Sequence, residues 1–172
     1  VDIDNDMDLD LFVGTDFDPS SFPWIGKIIY YENIGCDNDN HPIWQKNNSD
    51  FINENIGNNL YPKFIDIDFD GDFDLFVGEF NGELHYFENS GSQSSHNFIY
   101  HGKIDSIDNS GYSTPEFIDI DNDDDFDLLL GDITGIIFLY ENVGNKYEFS
   151  FNLINSNFLN INTGSRSSIL SV

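Results

Sequence analysis

One acidic, alternating segment occurs three times in this chain and constrains its fold more than any other feature: VDIDNDMDLDLFVG from Val1, IDIDFDGDFDLFVG from Ile65 and IDIDNDDDFDLLLG from Ile118. A segment copied in this way marks a repeat architecture, in which each unit covers its apolar face by packing on its neighbours. The copy extends past the acidic stretch into an aromatic-Glu-Asn-x-Gly signature. It comprises Tyr31, Glu32, Asn33 and Gly35, then Phe87, Glu88, Asn89 and Gly91, then Tyr140, Glu141, Asn142 and Gly144. The second and third copies also share an approach, YPKFIDID from Tyr61 and TPEFIDID from Thr114. Pro62 and Pro115 are expected just ahead of a strand, where a missing N–H is tolerated. Extra residues from Asp16 to Lys27 lengthen the first copy and belong in a loop. The units therefore divide as 1–60 with its insertion, 61–113, and 114–172 with a C-terminal strand.

Within the second copy, Phe64–Asp66 and Asp74–Glu79 have the short apolar runs of strands. Asn81 and Gly82 supply a tight Asn-Gly hairpin turn. Leu84 and Tyr86 alternate with polar residues as a third strand that ends at Asn89 and Gly91, where glycine is expected to take positive φ. Phe98–Ile104 makes a fourth. No segment has helical periodicity. The predicted fold is all-β: three four-stranded antiparallel blade-like repeats, forming a partial or oligomer-completed β-propeller or an open β-repeat stack. Val1 falls at the end of the first strand of its unit, whereas Ile169, Leu170 and Val172 resemble such a strand at the other end of the chain. That last strand is expected to complete the first unit, of the same or of another subunit.

The acidic segments have the chemistry of metal loops. In the second copy carboxylates stand at positions one, three and five, a glycine at six permits a sharp turn, and an aspartate at nine closes the loop. The predicted side-chain ligands are Asp66, Asp68, Asp70 and Asp74, with the backbone carbonyl of Asp72. The first copy offers Asp2, Asp4, Asp6 and Asp10 with the carbonyl of Asp8, and the third Asp119, Asp121, Asp123 and Asp127 with that of Asp125. Calcium suits such loops, since it takes about six to eight oxygens in flexible geometry, whereas magnesium demands a strict octahedron. The spacing differs from an EF-hand loop, which closes on a glutamate and is flanked by helices. Met7 and Asp124 replace the glycine, which implies strain wherever that position needs positive φ.

Charge fits the same picture. Asp and Glu number 32 against 6 Lys and Arg, for a formal net charge of −26 that repels itself unless cations intervene. Nucleic acid and anionic membrane, which recruit basic patches, are not expected partners. No apolar run approaches the roughly 20 residues of a membrane span. Cys36 is the only cysteine, so no disulfide braces the chain internally and a bound metal is the expected substitute.

With these motifs in view, the loops followed by DLFVG and a YFEN-type strand resemble FG-GAP or VCBS repeats, the calcium-binding blades of integrin α-subunit propellers and microbial surface proteins. The resemblance covers nearly the whole chain apart from the first-copy insertion and the tail. It implies a β-propeller with calcium in the loops of its blades and a usual role in adhesion. Three blades are fewer than such a ring holds. The expected function is thus a calcium-binding extracellular or cell-surface structural and adhesion protein that self-associates head to tail.

Two alternatives belong to other classes. Related propellers include lectins, and Trp24, Trp44, Tyr30 and Tyr112 could stack on a glycan, or pack between blades. Related propellers also occur in polysaccharide-degrading enzymes, but His41, His85, His96 and His101 lack metal-binding spacing, Cys36 has no evident partner, and no nucleophile elbow or phosphate loop is present. An enzyme is not expected. Asn47, Asn48 and Ser49 form a glycosylation sequon, expected on a polar loop.

Overall fold

The alternating segments form strands. The computed structural model describes residues 1–17, 22–48, 50–107 and 109–168. Eleven strands follow in order: β1 Leu11–Gly14, β2 Ile28–Cys36, β3 Pro42–Asn48, β4 Tyr61–Ile65, β5 Asp74–Gly78, β6 Leu84–Asn89, β7 Phe98–Lys103, β8 Thr114–Ile118, β9 Asp127–Gly131, β10 Ile137–Asn142 and β11 Phe151–Asn155. A short 3₁₀ turn covers Phe158–Asn160. Among the described residues no helix is long and apolar enough to cross a membrane.

The strands make three antiparallel meanders with orders β1-β2-β3, β4-β5-β6-β7 and β8-β9-β10-β11. The fold is all-β, and among the described residues no sheet closes into a barrel. The first sheet differs from the expected four strands. Val1 aligns with Ile65 and Ile118, which end β4 and β8, so the described chain enters the first sheet at its acidic loop. The ladder reflects this: Asp74 pairs with Ile65 and Asp127 with Ile118, but β1 begins one residue later, at Leu11 rather than Asp10. The expected strand at Ile169–Val172 lies outside the described residues.

Two other expectations change. Pro62 and Pro115 lie within β4 and β8 rather than ahead of them, and are tolerated because both are edge strands. Gly91 does not take positive φ. It is glycine because an added Cβ would stand 2.2 Å from the Ser95 carbonyl oxygen.

Successive sheets pack through apolar faces set by the two-residue period of the strands. Leu75 and Val77 of β5 face the first sheet and join Ile28, Ile52, Ile56, Leu60 and Phe87 in one core. Phe76, between them, points the other way into a second core with Leu84, Leu128, Leu130, Tyr140 and Phe151. Ring contacts repeat across the two interfaces: Phe12 lies 4.4 Å from Phe64, and Phe76 lies 4.6 Å from Phe117. A backbone segment distant in sequence passes against the glycine that ends each DLFVG-type segment. A Cβ would lie 1.9 Å from Leu60 O at Gly14, 1.9 Å from Ser113 O at Gly78 and 2.4 Å from Ser167 O at Gly131.

Candidate metal centre

The three acidic loops are folded by their own aspartates. In the second loop, Asp66 Oδ2 accepts a hydrogen bond from Gly71 N at 3.1 Å, Asp68 Oδ1 from Asp70 N at 3.2 Å, and Asp70 Oδ1 from Asp72 N at 3.1 Å. In the first loop, Asp2 accepts from Asp6 N and Met7 N, each at 3.1 Å, and Asp6 from Asp8 N at 2.9 Å. In the third, Asp119 accepts from Asn122 N at 2.7 Å and Asp123 N at 3.2 Å, and Asp123 from Asp125 N at 3.2 Å. The amides thus curl the chain so that carboxylates converge. One oxygen each from Asp2, Asp4 and Asp6, from Asp66, Asp68 and Asp70, and from Asp119, Asp121 and Asp127 lie within 4.8 Å of one another in their respective groups. Asp10, Asp74 and Asp123 stand outside these groups.

The turn geometry explains the sixth position. Gly71 has φ +100°, and its counterparts Met7 and Asp124 adopt +77° and +69°. The fourth position is left-handed as well, at Asn5, Phe69 and Asn122. Phe69 stacks on Phe126 of the third loop at 5.3 Å. In the neighbouring gap Asn5 stands where Phe69 does, and a cavity of about 310 Å³ lined by Asn5, Phe73, Asn89 and Gln93 remains.

The closing aspartate ties each loop to β2, β6 or β10. Asp10 Oδ1 accepts from Asn33 N at 2.9 Å, Asp74 Oδ1 from Asn89 N at 2.7 Å, and Asp127 Oδ1 from Asn142 N at 2.8 Å. Two of these residues also reach back to the second loop position, where Ile3 N donates to Asp10 and Ile120 N to Asp127. The asparagine side chain then organises the following turn: Asn89 Oδ1 accepts from Gly91 N and Asn97 N, and Asn142 Oδ1 from Gly144 N and Ser150 N. This role of the Glu-Asn signature was missed in the sequence, although its recurrence at a fixed place in every copy was the available signal.

The residues fit a hard cation. Asp4 Oδ1, Asp66 Oδ1, Asp72 Oδ1, Asp74 Oδ2 and Asp125 Oδ1 are buried acceptors without a hydrogen-bond partner. Two carboxylates 4.8 Å apart repel by about 3 kcal/mol at an effective dielectric of about 20. Burial, followed by backbone hydrogen bonds that oppose it and by the charge of Asp68, pushes Asp74 up to about 7. Burial and then the neighbouring charges push Asp72 and Asp125 up to about 6. Asp4, Asp66, Asp68 and Asp121 are raised too, burial being the first cause in each. Some acidic clusters here could therefore hold a metal ion.

A fourth group, Asp37, Asp39 and His41, was not anticipated, although its own alternate spacing was visible. It lies on the exposed β2–β3 turn, where Asp37 Oδ1 accepts from Asp39 N and His41 N, both at 2.9 Å.

The remaining candidate residues are dispersed. Tyr30 and Tyr112 are buried, which removes them from a sugar-stacking surface, whereas Trp24 and Trp44 are exposed. His85 is buried, its Nδ1 2.8 Å from Tyr100 Oη, and His101 pairs with Glu88 at 2.6 Å. Asn47 lies in β3 rather than on a loop, with its amide donating to Glu32, and Ser49 is outside the described residues. No family model matches the chain, and neither does any curated protein or solved structure.

Proposed function

We propose that this protein is a calcium-binding structural repeat module, akin to FG-GAP or VCBS repeats, that works outside the cell. The observation that carries the reading is the threefold recurrence of one loop, with converging carboxylates and buried carboxylate oxygens lacking partners. Oxygen-only donors favour a hard cation over zinc or copper. A calcium ion would supply positive charge to groups that otherwise bear their mutual repulsion, and the side chains of Asp2, Asp4 and Asp6, of Asp66, Asp68 and Asp70, and of Asp119, Asp121 and Asp127 would hold it. Because the closing aspartate is bonded to β6 or β10, ordering a loop also fixes the strands on either side. The net charge of −26 gives the same incentive to the whole molecule. Extracellular calcium meets the weak affinities typical of such modules. Adhesion enters through the motif resemblance.

The test is calorimetric titration of the chelated protein with calcium, with thermal unfolding in parallel. Binding at three sites and stabilisation of about 2.7 kcal/mol per site at a hundredfold excess over the dissociation constant are expected. Magnesium should do much less. Absence of heat and of stabilisation at about 10 mM calcium, well above the usual extracellular range, would refute the reading.

A further inference from the structure

We infer that the cavity between the first and second acidic loops is a docking site for the guanidinium group of an arginine side chain carried by a basic polypeptide partner. The inference goes beyond the proposed structural role, and the variants that test it touch none of the predicted metal ligands.

The repeat itself shows what sets this cavity apart. Phe69 stands at position four of the second loop and Phe126 at position eight of the third. Their rings stack at 5.3 Å with 9° between the planes, and so close the gap between those two loops. The same two positions in the preceding gap hold Asn5 and Phe73. Asn5 has nearly the backbone of Phe69, with φ +59° against +57°, but brings no ring. Phe73 is therefore left 38% exposed beside a cavity of about 310 Å³. Both loops that bound the gap are described in full, so the cavity comes from the exchange of phenylalanine for asparagine within them.

The walls select the occupant. One is the aromatic ring of Phe73; Asn5 and Gln93 bring carboxamides, and Asp2 and Asp72 carboxylates. Asp72 is only 7% exposed, and its Oδ1 has no hydrogen-bond partner. Gln93 lies over Gly71, where an added Cβ would stand 3.1 Å from its Nε2. The first and third loops have Met7 and Asp124 at that position, so glycine leaves room for the amide in this gap alone. A fitting group is flat enough to stack on Phe73, holds donors in its plane for the acceptors of the walls, and is positively charged. Guanidinium is planar and always charged, carries five N–H donors and no acceptor, and stacks on aromatic faces. An ammonium is a compact point charge without a plane. A neutral aromatic ring would leave the buried acceptors unpaired.

Charge complementarity extends beyond the cavity. The net charge of −26 draws a basic partner toward the chain. Each of the two loops holds five aspartates, so one divalent ion in either still leaves it negative. The same contact already occurs inside the fold, where the Arg166 guanidinium lies 4.0 Å from the centre of the Tyr112 ring and Nη2 donates to Tyr112 Oη at 2.8 Å. Arg166 is the only arginine of the chain and is engaged there, so the occupant comes from another polypeptide.

Titration in calcium, followed by nuclear magnetic resonance of the Phe73 ring, tests this with N-acetylarginine amide and its citrulline and lysine counterparts. Citrulline keeps the plane and loses the charge, whereas lysine keeps the charge and loses the plane. The arginine probe should shift the ring resonances and saturate, and the other two should bind at least about tenfold more weakly. A blocked Lys-Arg-Lys peptide should bind more tightly than the single residue, because its flanks meet the acidic loops. Asn5→Phe restores the ring that closes the other gap; it should fold, bind calcium like the wild type and lose the arginine probe. Gln93→Leu should weaken the probe by about tenfold. The inference is overturned by no shift at about 10 mM arginine probe, by citrulline or lysine binding as well as arginine, or by undiminished binding to Asn5→Phe. A tripeptide that binds no better than the single residue overturns the assignment to a basic polypeptide.

Discussion

Varying pH in a chelator and in calcium places the loop electrostatics under the most demanding test. Asp74 is buried and its carboxyl is raised from 3.8 to about 7, so without metal the folded chain holds that proton more tightly than the unfolded chain does. The stability gained from protonation is complete below about pH 4 and is lost as pH rises through 7. At about 1.4 kcal/mol per pH unit the loss from this residue is on the order of 4 kcal/mol, a large share of the roughly 5–15 kcal/mol typical of a domain. Asp72 and Asp125, both raised to about 6, act in the same direction. With a urea dependence of about 2 kcal/mol per molar, the unfolding midpoint of the chelated protein should fall by about 2 M between pH 4 and pH 8. In calcium the slope should reverse, since the ion competes with protons for the same oxygens. Asp74→Asn should flatten the chelated slope by the largest single share and weaken binding at the second loop. A midpoint that rises or stays level between pH 4 and pH 8 in chelator would refute the reasoning.

Two further outcomes follow from backbone geometry. Met7→Gly should stabilise the metal-free chain by up to about 1 kcal/mol and tighten calcium at the first loop, because Met7 is held at φ +77° while its side chain is exposed; unfolding and titration of this one variant check both effects. Gly78→Ala should prevent stable folding, since the new Cβ would lie 1.9 Å from the Ser113 carbonyl oxygen and backbone would have to move; a circular-dichroism melt like that of the wild type would contradict it.

Strand identity was legible in the sequence because a period of two with β-branched and aromatic residues leaves little alternative: the second unit has four strands close to where the alternation placed them. The loops were legible as tight acidic turns because aspartates at alternate positions accept from amides a few residues further on, as Asp2, Asp66 and Asp119 do. What escaped was long-range. Gly91 was read as a conformational glycine, but the demand on it comes from Ser95, across a turn. Trp44 was weighed as a sugar platform against blade packing, and its register opposite Asn33 places it in the interface series of Phe98 and Phe151. Tyr30 and Tyr112, grouped with it by residue type, proved to be interior.

The alternation also couples the acidic loops to the packing of the sheets. In the run Ile65-Asp66-Ile67-Asp68, the aspartates turn into the loop and the isoleucines turn into the core between the second and third sheets. Ile67 is at once the residue between two converging carboxylates and one of the most deeply buried side chains of that core. Repulsion that opens the loop must therefore pull on the core, and an ion that closes it must set the core in register. Ile3 is likewise buried behind the first loop, whereas Ile120 behind the third is exposed on the outer face. The third loop is consequently the one whose closure gains least from packing, so its calcium affinity should fall below that of the second loop in calorimetric titration.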